Sequence, residues 1–286
     1  MKKSRKLATL GICSALFLGL AACQQQHATS EGTNQRQSSS AKVPWKASYT
    51  NLNNQVSTEE VKSLLSAHLD PNSVDAFFNL VNDYNTIVGS TGLSGDFTSF
   101  THTEYDVEKI SHLWNQKKGD FVGTNCRINS YCLLKNSVTI PKLEKNDQLL
   151  FLDNDAIDKG KVFDSQDKEE FDILFSRVPT EATTDVKVHA EKMETFFSQF
   201  QFNEKARMLS VVLHDNLDGE YLFVGHVGVL VPADDGFLFV EKEPYQAIKF
   251  ASKEDCYKYL DTKYADYTGE GLAKPFIMDN DKWVKL

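Results

Sequence analysis

The hydrophobic pattern of this chain changes period about two thirds of the way along, and that change limits the folds open to it. Up to about residue 201 most apolar residues recur at helical spacing, first behind a capping-box pattern at 57–60. From Met208 onward the apolar residues form β-rich runs, and Asp234-Asp235-Gly236 is a hairpin signal between two of them. Helices followed by strands predict an α+β domain, a helical N-terminal half followed by an antiparallel sheet.

The same pattern places the individual elements. Helices are predicted after the capping box, after Asp70-Pro71, and over residues 104–118, 125–134 and 252–264, with a charged and mostly helical stretch reaching residue 201. Strands are predicted over residues 208–213, 221–231, 236–241, 247–250 and 276–284.

The first 22 residues have the three parts of an export signal. Four cationic residues precede an apolar run over 7–20, which is too short for an ordinary membrane span. Leu20-Ala21-Ala22-Cys23 follows and resembles the lipobox of bacterial lipoproteins. That resemblance implies cleavage before Cys23, lipid on its thiol, and tethering to the extracellular face of the cell membrane. An unlipidated secretory signal is the alternative.

Composition divides the rest of the chain into a tether and one domain. Residues 24–44 are polar and offer too little apolar surface to offset the entropy of ordering, so 23–44 is predicted to be the lipidated cysteine and a flexible tether. Residues 45–286 are predicted to form a single α+β domain. Without the four leader cations the net charge falls from −9 to about −13, which argues against nucleic acid as a partner.

Three cysteines remain in the predicted domain, and an odd number leaves at least one free thiol unless a partner caps it. Cys126 and Cys132 lie nearly two turns apart on one predicted helix, too far to bridge, whereas Cys256 could pair with either. No Cys/His cluster has the spacing of a zinc site, so neither a metal nor a cofactor is expected.

One order of residues points to chemistry. Gly123-Thr124-Asn125-Cys126-Arg127 puts a cysteine at a predicted helix start, His226 lies in a strand about 100 residues later, and Glu241 closes the next strand. A helix N-terminus and a nearby imidazolium lower the pKa of a thiol. A carboxylate behind the histidine fixes its tautomer, and the N–H at the helix start can face an oxyanion.

This order resembles the papain-like cysteine peptidases, including those that cut bacterial cell-wall peptides. The resemblance implies a papain-like architecture, Cys126 as nucleophile, His226 as base and Glu241 as its orienting carboxylate. Such enzymes usually carry a glutamine about six residues before the cysteine, where this chain has Asp120, so Asn125 is predicted to supply the oxyanion contact. Arg127 is also atypical. The run 244–250 and the preceding hairpin resemble an uncharacterised family of Gram-positive lipoproteins.

Two carboxylates compete for the place behind His226: Glu241, 15 residues on, and Glu243, 17 residues on. Strand parity puts both on one face and cannot separate them. Glu241 is predicted because it closes an apolar run in a paired strand, whereas Glu243 precedes Pro244, where a strand is expected to end. Glu243 is the alternative.

Each of these residues also has a structural interpretation. Cys126 can be a small core residue, His226 a satisfied core histidine and Glu241 a solvated charge, while His214-Asp215 with His226 is a weaker metal candidate. Three functions follow: a membrane-anchored thiol hydrolase acting on peptide or amide bonds, with a cell-wall peptide or protein as substrate; an inactive papain-like fold that binds a ligand or partner; or a solute-binding lipoprotein. The last lacks the two alternating β/α lobes it needs.

Overall fold

The computed structural model describes residues 45–100 and 103–286. Its α-helices are α1 Gln55–Ser66, α2 Pro71–Val88, α3 Val107–Lys118, α4 Cys126–Leu134, α5 Phe151–Gly160, α6 Ser165–Leu174, α7 Val186–Phe197 and α8 Lys253–Tyr264, with 3-10 turns at Gly89–Thr91 and Gln148–Leu150. Its strands are β1 Ala47–Thr50, β2 Thr98–Ser99, β3 Val138–Thr139, β4 Val178–Pro179, β5 Gln201–Phe202, β6 Arg207–Asp215, β7 Tyr221–Ala233, β8 Gly236–Lys242, β9 Tyr245–Phe250, β10 Phe276–Asp279 and β11 Lys282–Trp283.

The predicted signal peptide (1–22), Cys23 and the tether (24–44) lie outside the described residues. Within the described part of the chain, no helix has the length and apolarity needed to cross a membrane.

Local sequence signals explain where the helices begin. Asp70 caps α2 by accepting a hydrogen bond from the Ser73 N–H at 3.0 Å, and Pro71 occupies the first helical position, where its missing N–H costs nothing. The cap of α1 is Asn54 and not Ser57, so the prediction from the capping box put this helix start three residues late. Ser57 lies buried in the first turn instead.

Most β-strands belong to one antiparallel sheet. Its order is β11-β10-β6-β7-β8-β9-β1-β2, with β4 paired to the first residues of β7, and β3 and β5 form a separate two-stranded sheet. The central hairpin closes through a two-residue loop, because Ala233 pairs with Gly236. The predicted α+β class is confirmed.

The sheet has a different hydrophobic core on each face. On one face alternate residues such as Val229 and Val240 pack among residues of α1 to α7. On the other face Leu230 and Phe239 pack with Tyr259 and its neighbours from α8. Residues that sit next to one another on a strand therefore meet different helices, and parity decides which helices a strand residue can reach.

Strand boundaries differ from the predictions in several places, and the two-residue strands β2 to β5 were not predicted. β9 begins at Tyr245 and not at residue 247, the predicted last strand is two strands around Asn280, and β1 was not predicted at all. β1 lies between β9 and the edge strand β2, and both partners come from distant parts of the chain. A four-residue strand is too short to show a clear alternation of apolar and polar residues, which is why β1 was not predicted.

Candidate active site

Cys126 is the first residue of α4 and is partly exposed. Asn125 caps the helix by accepting a hydrogen bond from the Ile128 N–H at 3.1 Å. Because the first N–H groups of a helix have no partner within it, the sulfur sits at the positive end of the helix dipole. The prediction of Cys126 at a helix start is confirmed.

The N-terminal turn of α4 enters a gap in the sheet. β7 pairs with β8 only from Val229 onward, so the preceding residues of β7 are open on that side. The helix fills the opening: Arg127 Nη1 donates to the Val224 carbonyl at 2.9 Å, and Ser130 Oγ donates to the Val227 carbonyl at 3.2 Å. The Val227 N–H in turn hydrogen-bonds the Cys126 sulfur. Backbone contacts thus hold the nucleophile candidate against the strand that carries His226.

A bulge in β7 turns His226 toward its partners. The ladder with β6 runs from Val211–His226 directly to Val212–Val224, so Gly225 is the extra residue. A Cβ on Gly225 would lie 2.2 Å from Leu213 Cδ1, so any other residue in this backbone position would have to displace the Leu213 side chain. In a regular strand residue 226 would share the face of Val224, toward α1 to α7. The extra residue at the bulge moves residue 226 to the other face of the sheet, so His226 points to the α8 side.

His226 and Glu241 form a buried pair, with relative exposures of 1% and 2%. Their Nε2 and Oε2 atoms lie 2.6 Å apart. Since Nε2 is engaged, Nδ1 is the ring nitrogen left for Cys126, with which His226 shares a hydrogen bond. Tyr264 stacks on the imidazole at a centroid distance of 5.2 Å and limits its rotation.

Two residues of α8 hold Glu241 in place. Tyr259 donates its hydroxyl to Oε1, and Lys263 Nζ lies 3.1 Å and 3.2 Å from the two carboxylate oxygens. Lys263 also forms an ion pair with Glu243. Glu243 lies in the turn between β8 and β9, so the structure brings Glu241, and not Glu243, to the histidine.

The charges of the site favour a thiolate and an imidazolium. Burial acts to raise the pKa of Cys126, but His226, Arg127 and the Val227 N–H outweigh it and lower that pKa. Burial acts to lower the pKa of His226, but the thiolate and Glu241 raise it to about 9. Both shifts favour the ion pair of thiolate and imidazolium over the neutral thiol and imidazole.

Glu241 remains ionised for the same kind of reason. Burial acts to raise its pKa, but the Lys263 ammonium, His226 and the Tyr259 hydroxyl lower it to about 2. A carboxylate that stays charged at neutral pH stabilises the imidazolium and fixes the ring orientation. The arrangement can thus activate a thiol for nucleophilic attack.

The other two cysteines have the opposite electrostatics. Cys132 and Cys256 are buried and free, and no disulfide links them to each other or to Cys126. Burial raises the pKa of Cys132 to about 12 and that of Cys256 well above its ordinary value. The structure places Cys132 in the core, as expected, and leaves Cys256 unpaired.

His214 does not join His226. Its Nε2 lies 2.7 Å from Glu220 and its Nδ1 accepts the Ala273 N–H at 3.1 Å, so both ring nitrogens are engaged elsewhere. In residues 45–100 and 103–286 no group of three or more histidine, cysteine or carboxylate side chains is arranged to hold a metal ion.

The residues considered for an oxyanion contact are engaged in other interactions. Asn125 donates its amide to Asp153 at 2.7 Å besides capping α4, and Arg127 forms a two-pronged ion pair with the same carboxylate at 2.8 and 2.6 Å. Asp120 is exposed and pairs with Lys159 at 3.1 Å. The backbone N–H of Cys126 is the donor that α4 itself directs toward an attacked carbonyl.

Sequence reasoning did not find the α8 residues or Lys242. Tyr259 and Lys263 are four residues apart on α8 and so share one helical face, which was a detectable pattern. Nothing local connects that face to Glu241, because the contact forms only when α8 packs on the sheet. Lys242 directly follows Glu241 and lies on the opposite face of β8.

A known protein family covers the whole of this site. The domain of unknown function DUF4300 matches residues 48–284. The chain belongs to this family. No curated protein and no solved structure matches the chain. The DUF4300 domain therefore includes α4, the β7–β8 hairpin and α8, while the lipoprotein and papain-like assignments stay predictions.

Proposed function

We propose that this protein is a thiol hydrolase that cleaves peptide or amide bonds, with Cys126 as nucleophile, His226 as acid and base, and Glu241 as the orienting carboxylate. The observation that carries the proposal is the continuous chain of contacts from the Cys126 thiol through His226 to Glu241. The order of the three residues and the elements that hold them resemble those of the papain-like enzymes, which supports the same reaction class.

The reaction follows from the charges of the site. The Cys126 thiolate attacks the carbonyl carbon, a C–S bond forms, and the carbonyl oxygen becomes an oxyanion facing the Cys126 N–H. The imidazolium gives its proton to the leaving nitrogen as the C–N bond breaks, which leaves an acyl-thioester and a neutral imidazole. Water then attacks the thioester while His226 takes its proton, and the thiolate returns as the acid product leaves.

We infer that the enzyme acts outside the cell, on a membrane-bound tether. The charged leader, the apolar run and Cys23 support export and lipidation. A polar tether of about 20 residues lets the domain reach a substrate some distance from the membrane, such as a cell-wall peptide or a surface protein. Its acidic charge is consistent with a role that does not involve nucleic acid.

A second candidate function rests on the oxyanion side of the site. Asn125 donates to Asp153, and Asp120 is an exposed, ion-paired carboxylate where papain-like enzymes carry a side-chain donor. Loss of one such donor typically costs about 10²–10³ in rate. A protein that keeps the thiolate pair but lacks turnover would serve as a ligand- or partner-binding lipoprotein.

Alkylation of the full chain by iodoacetamide over a range of pH tests the thiol. We expect one fast-reacting cysteine whose rate stays high below the roughly 8.5 pKa of a free thiol. Cys126→Ser should remove the fast phase and His226→Ala should shift it to higher pH. His214→Ala is the matched control, since it removes another buried histidine that does not contact Cys126.

Two further results separate the candidates. Hydrolysis of a mixture of peptides that is abolished by Cys126→Ser supports the enzyme. Fast alkylation without hydrolysis favours the binding protein. A Cys126 that reacts only after unfolding would contradict the thiolate on which both candidates depend.

A further inference from the structure

The Lys242 ammonium lies near the start of α4 and has no anionic partner within residues 45–100 and 103–286. Its ammonium lies over two aromatic rings, 3.7 Å from the centroid of Tyr84 and 4.8 Å from that of Tyr245. Among residues 45–100 and 103–286 no carboxylate forms an ion pair with it. The adjacent Glu243 pairs with Lys263 on the opposite face of the sheet.

Keeping a charge in this place is costly. Burial lowers the pKa of Lys242 to about 7, although Glu243 and Cys126 act to raise it. Aromatic faces return part of the lost hydration energy, but an ion pair would return more. A methionine in the same place would avoid the cost, so stability does not explain the lysine.

The cation is close to the start of α4. Tyr245, on which the ammonium lies, donates its hydroxyl to Asn129 Oδ1 at 2.7 Å and approaches Thr124 Oγ1 at 3.4 Å. Thr124 is two residues before Cys126. The Cys126 thiolate is near enough to Lys242 to raise its pKa. A negative group next to the attacked bond would thus meet both the ammonium and the positive end of the helix.

We propose that Lys242 is a specificity-determining residue, which binds a carboxylate of the peptide substrate next to the bond that Cys126 attacks. This proposal rests on the proposed hydrolase function and names its substrate class. The carboxylate is either an acidic side chain or a free C-terminus. On binding, it supplies the counterion that none of the described residues provides, in a half-buried place where charges interact more strongly than in water.

A pair of alkylating reagents that differ only in charge tests this. At about pH 6, where an amine of pKa near 7 is mostly protonated, the rates of Cys126 alkylation by iodoacetate and by iodoacetamide are measured on the full chain. In Lys242→Met we expect the ratio of the iodoacetate rate to the iodoacetamide rate to fall by about ten-fold, because one nearby positive charge is gone. The iodoacetamide rate should fall less, because it loses only the stabilisation that Lys242 gives the thiolate, and the ratio cancels that part.

Lys249→Met is the matched control. Lys249 also lies over an aromatic ring, 4.0 Å from the centroid of Phe97, but it is ion-paired with Glu60. It pairs with Leu238, four residues before Lys242 on β8, or roughly 13 Å along the strand. Its removal changes the net charge equally and should leave the ratio unchanged. Equal ratios in wild type and Lys242→Met would overturn the proposal and leave the hydrolase function standing.

A binding measurement removes the dependence on thiol chemistry. Calorimetry on Cys126→Ser, with and without Lys242→Met, compares acetyl-Gly-Glu-Gly-amide, acetyl-triglycine acid and acetyl-triglycine amide. Tighter binding of the glutamyl peptide identifies a side-chain carboxylate, and tighter binding of the acid identifies a C-terminus, provided that Lys242→Met abolishes the difference. Equal binding of all three peptides refutes the proposal even if Cys126 proves unreactive. A large fall in melting temperature in Lys242→Met would mean that the lysine is structural.

Discussion

Replacing Glu241 with glutamine tests the central contact of the site. The amide keeps the shape of the side chain but carries no charge, so the imidazolium of His226 loses its buried counterion while the hydrogen bond can persist. We expect Cys126 to become less reactive at neutral pH, because thiolate and imidazolium stabilise each other and both depend on Glu241.

The size of the effect follows from the pKa of His226. A rise from 6.5 to about 9 corresponds to about 3 kcal/mol in favour of the imidazolium. The Cys126 thiolate and Glu241 share this stabilisation. If Glu241 supplies about half, its loss disfavours the ion pair by about 1.5 kcal/mol, or roughly ten-fold. The acid limb of the alkylation profile should therefore move up by about one pH unit.

Glu243→Gln is the matched control for this change. Glu243 shares Lys263 with Glu241 but lies in a turn and does not reach His226. Its side chain is 28% exposed, so its removal should cost less than about 1 kcal/mol of stability and leave the profile unchanged. Glu241→Gln should cost up to about 3 kcal/mol, because Lys263 keeps only one of its two carboxylates.

The assay is iodoacetamide alkylation of Cys126 between about pH 5 and 9, with urea unfolding of each variant to show that it is folded. Superimposable profiles for wild type and Glu241→Gln would refute the reasoning. A larger shift in Glu243→Gln would move the orienting role to that residue.

Three further outcomes are expected. Gly225→Ala should lower the urea midpoint by an amount equivalent to about 1–3 kcal/mol and slow Cys126 alkylation, because the new Cβ meets Leu213 and disturbs the bulge. A wild-type alkylation rate would show that the bulge does not orient His226. Burial and the nearby His214 lower the pKa of His189 in the folded state. The stability that neutral His189 contributes is therefore complete above about pH 6.5 and is lost as the pH falls through the lower, folded-state pKa. Melting temperatures across this range test the prediction, and an identical pH dependence in His189→Gln would contradict it. Cys23→Ala should abolish labelling by a fatty-acid probe and membrane retention, and equal labelling would exclude lipid on this thiol.

The start of α4 shows how far local sequence reaches. An asparagine before an apolar stretch is a cap signal, and it places Cys126 at the helix N-terminus without any knowledge of the rest of the fold. The strands that carry His226 and Glu241 were also predictable, because alternation and the Asp234-Asp235-Gly236 turn are local signals. These three placements depend on contacts within a few residues.

The partner of His226 depends on distant contacts. The two-residue turn pairs Val229 with Val240, and continuing that regular register would place Glu243 opposite His226. The strands separate before that point, so the expected pairing never forms. Glu241 takes the place because β9 pairs with it at Gln246 and α8 anchors it from the other side.

The sequence by itself determined the α+β order, the capped helix at Cys126 and the presence of a histidine and a carboxylate on successive strands. Caps, turns and hydrophobic periodicity arise from neighbouring residues, so they can be predicted locally. Only the tertiary structure decided that a bulge at Gly225 directs His226 to the α8 side and that Lys263 keeps Glu241 charged. It also gives Lys242 no ion pair with a carboxylate of the described residues. Each of these depends on how a helix packs against a sheet built from residues far away in the chain, which no local signal encodes.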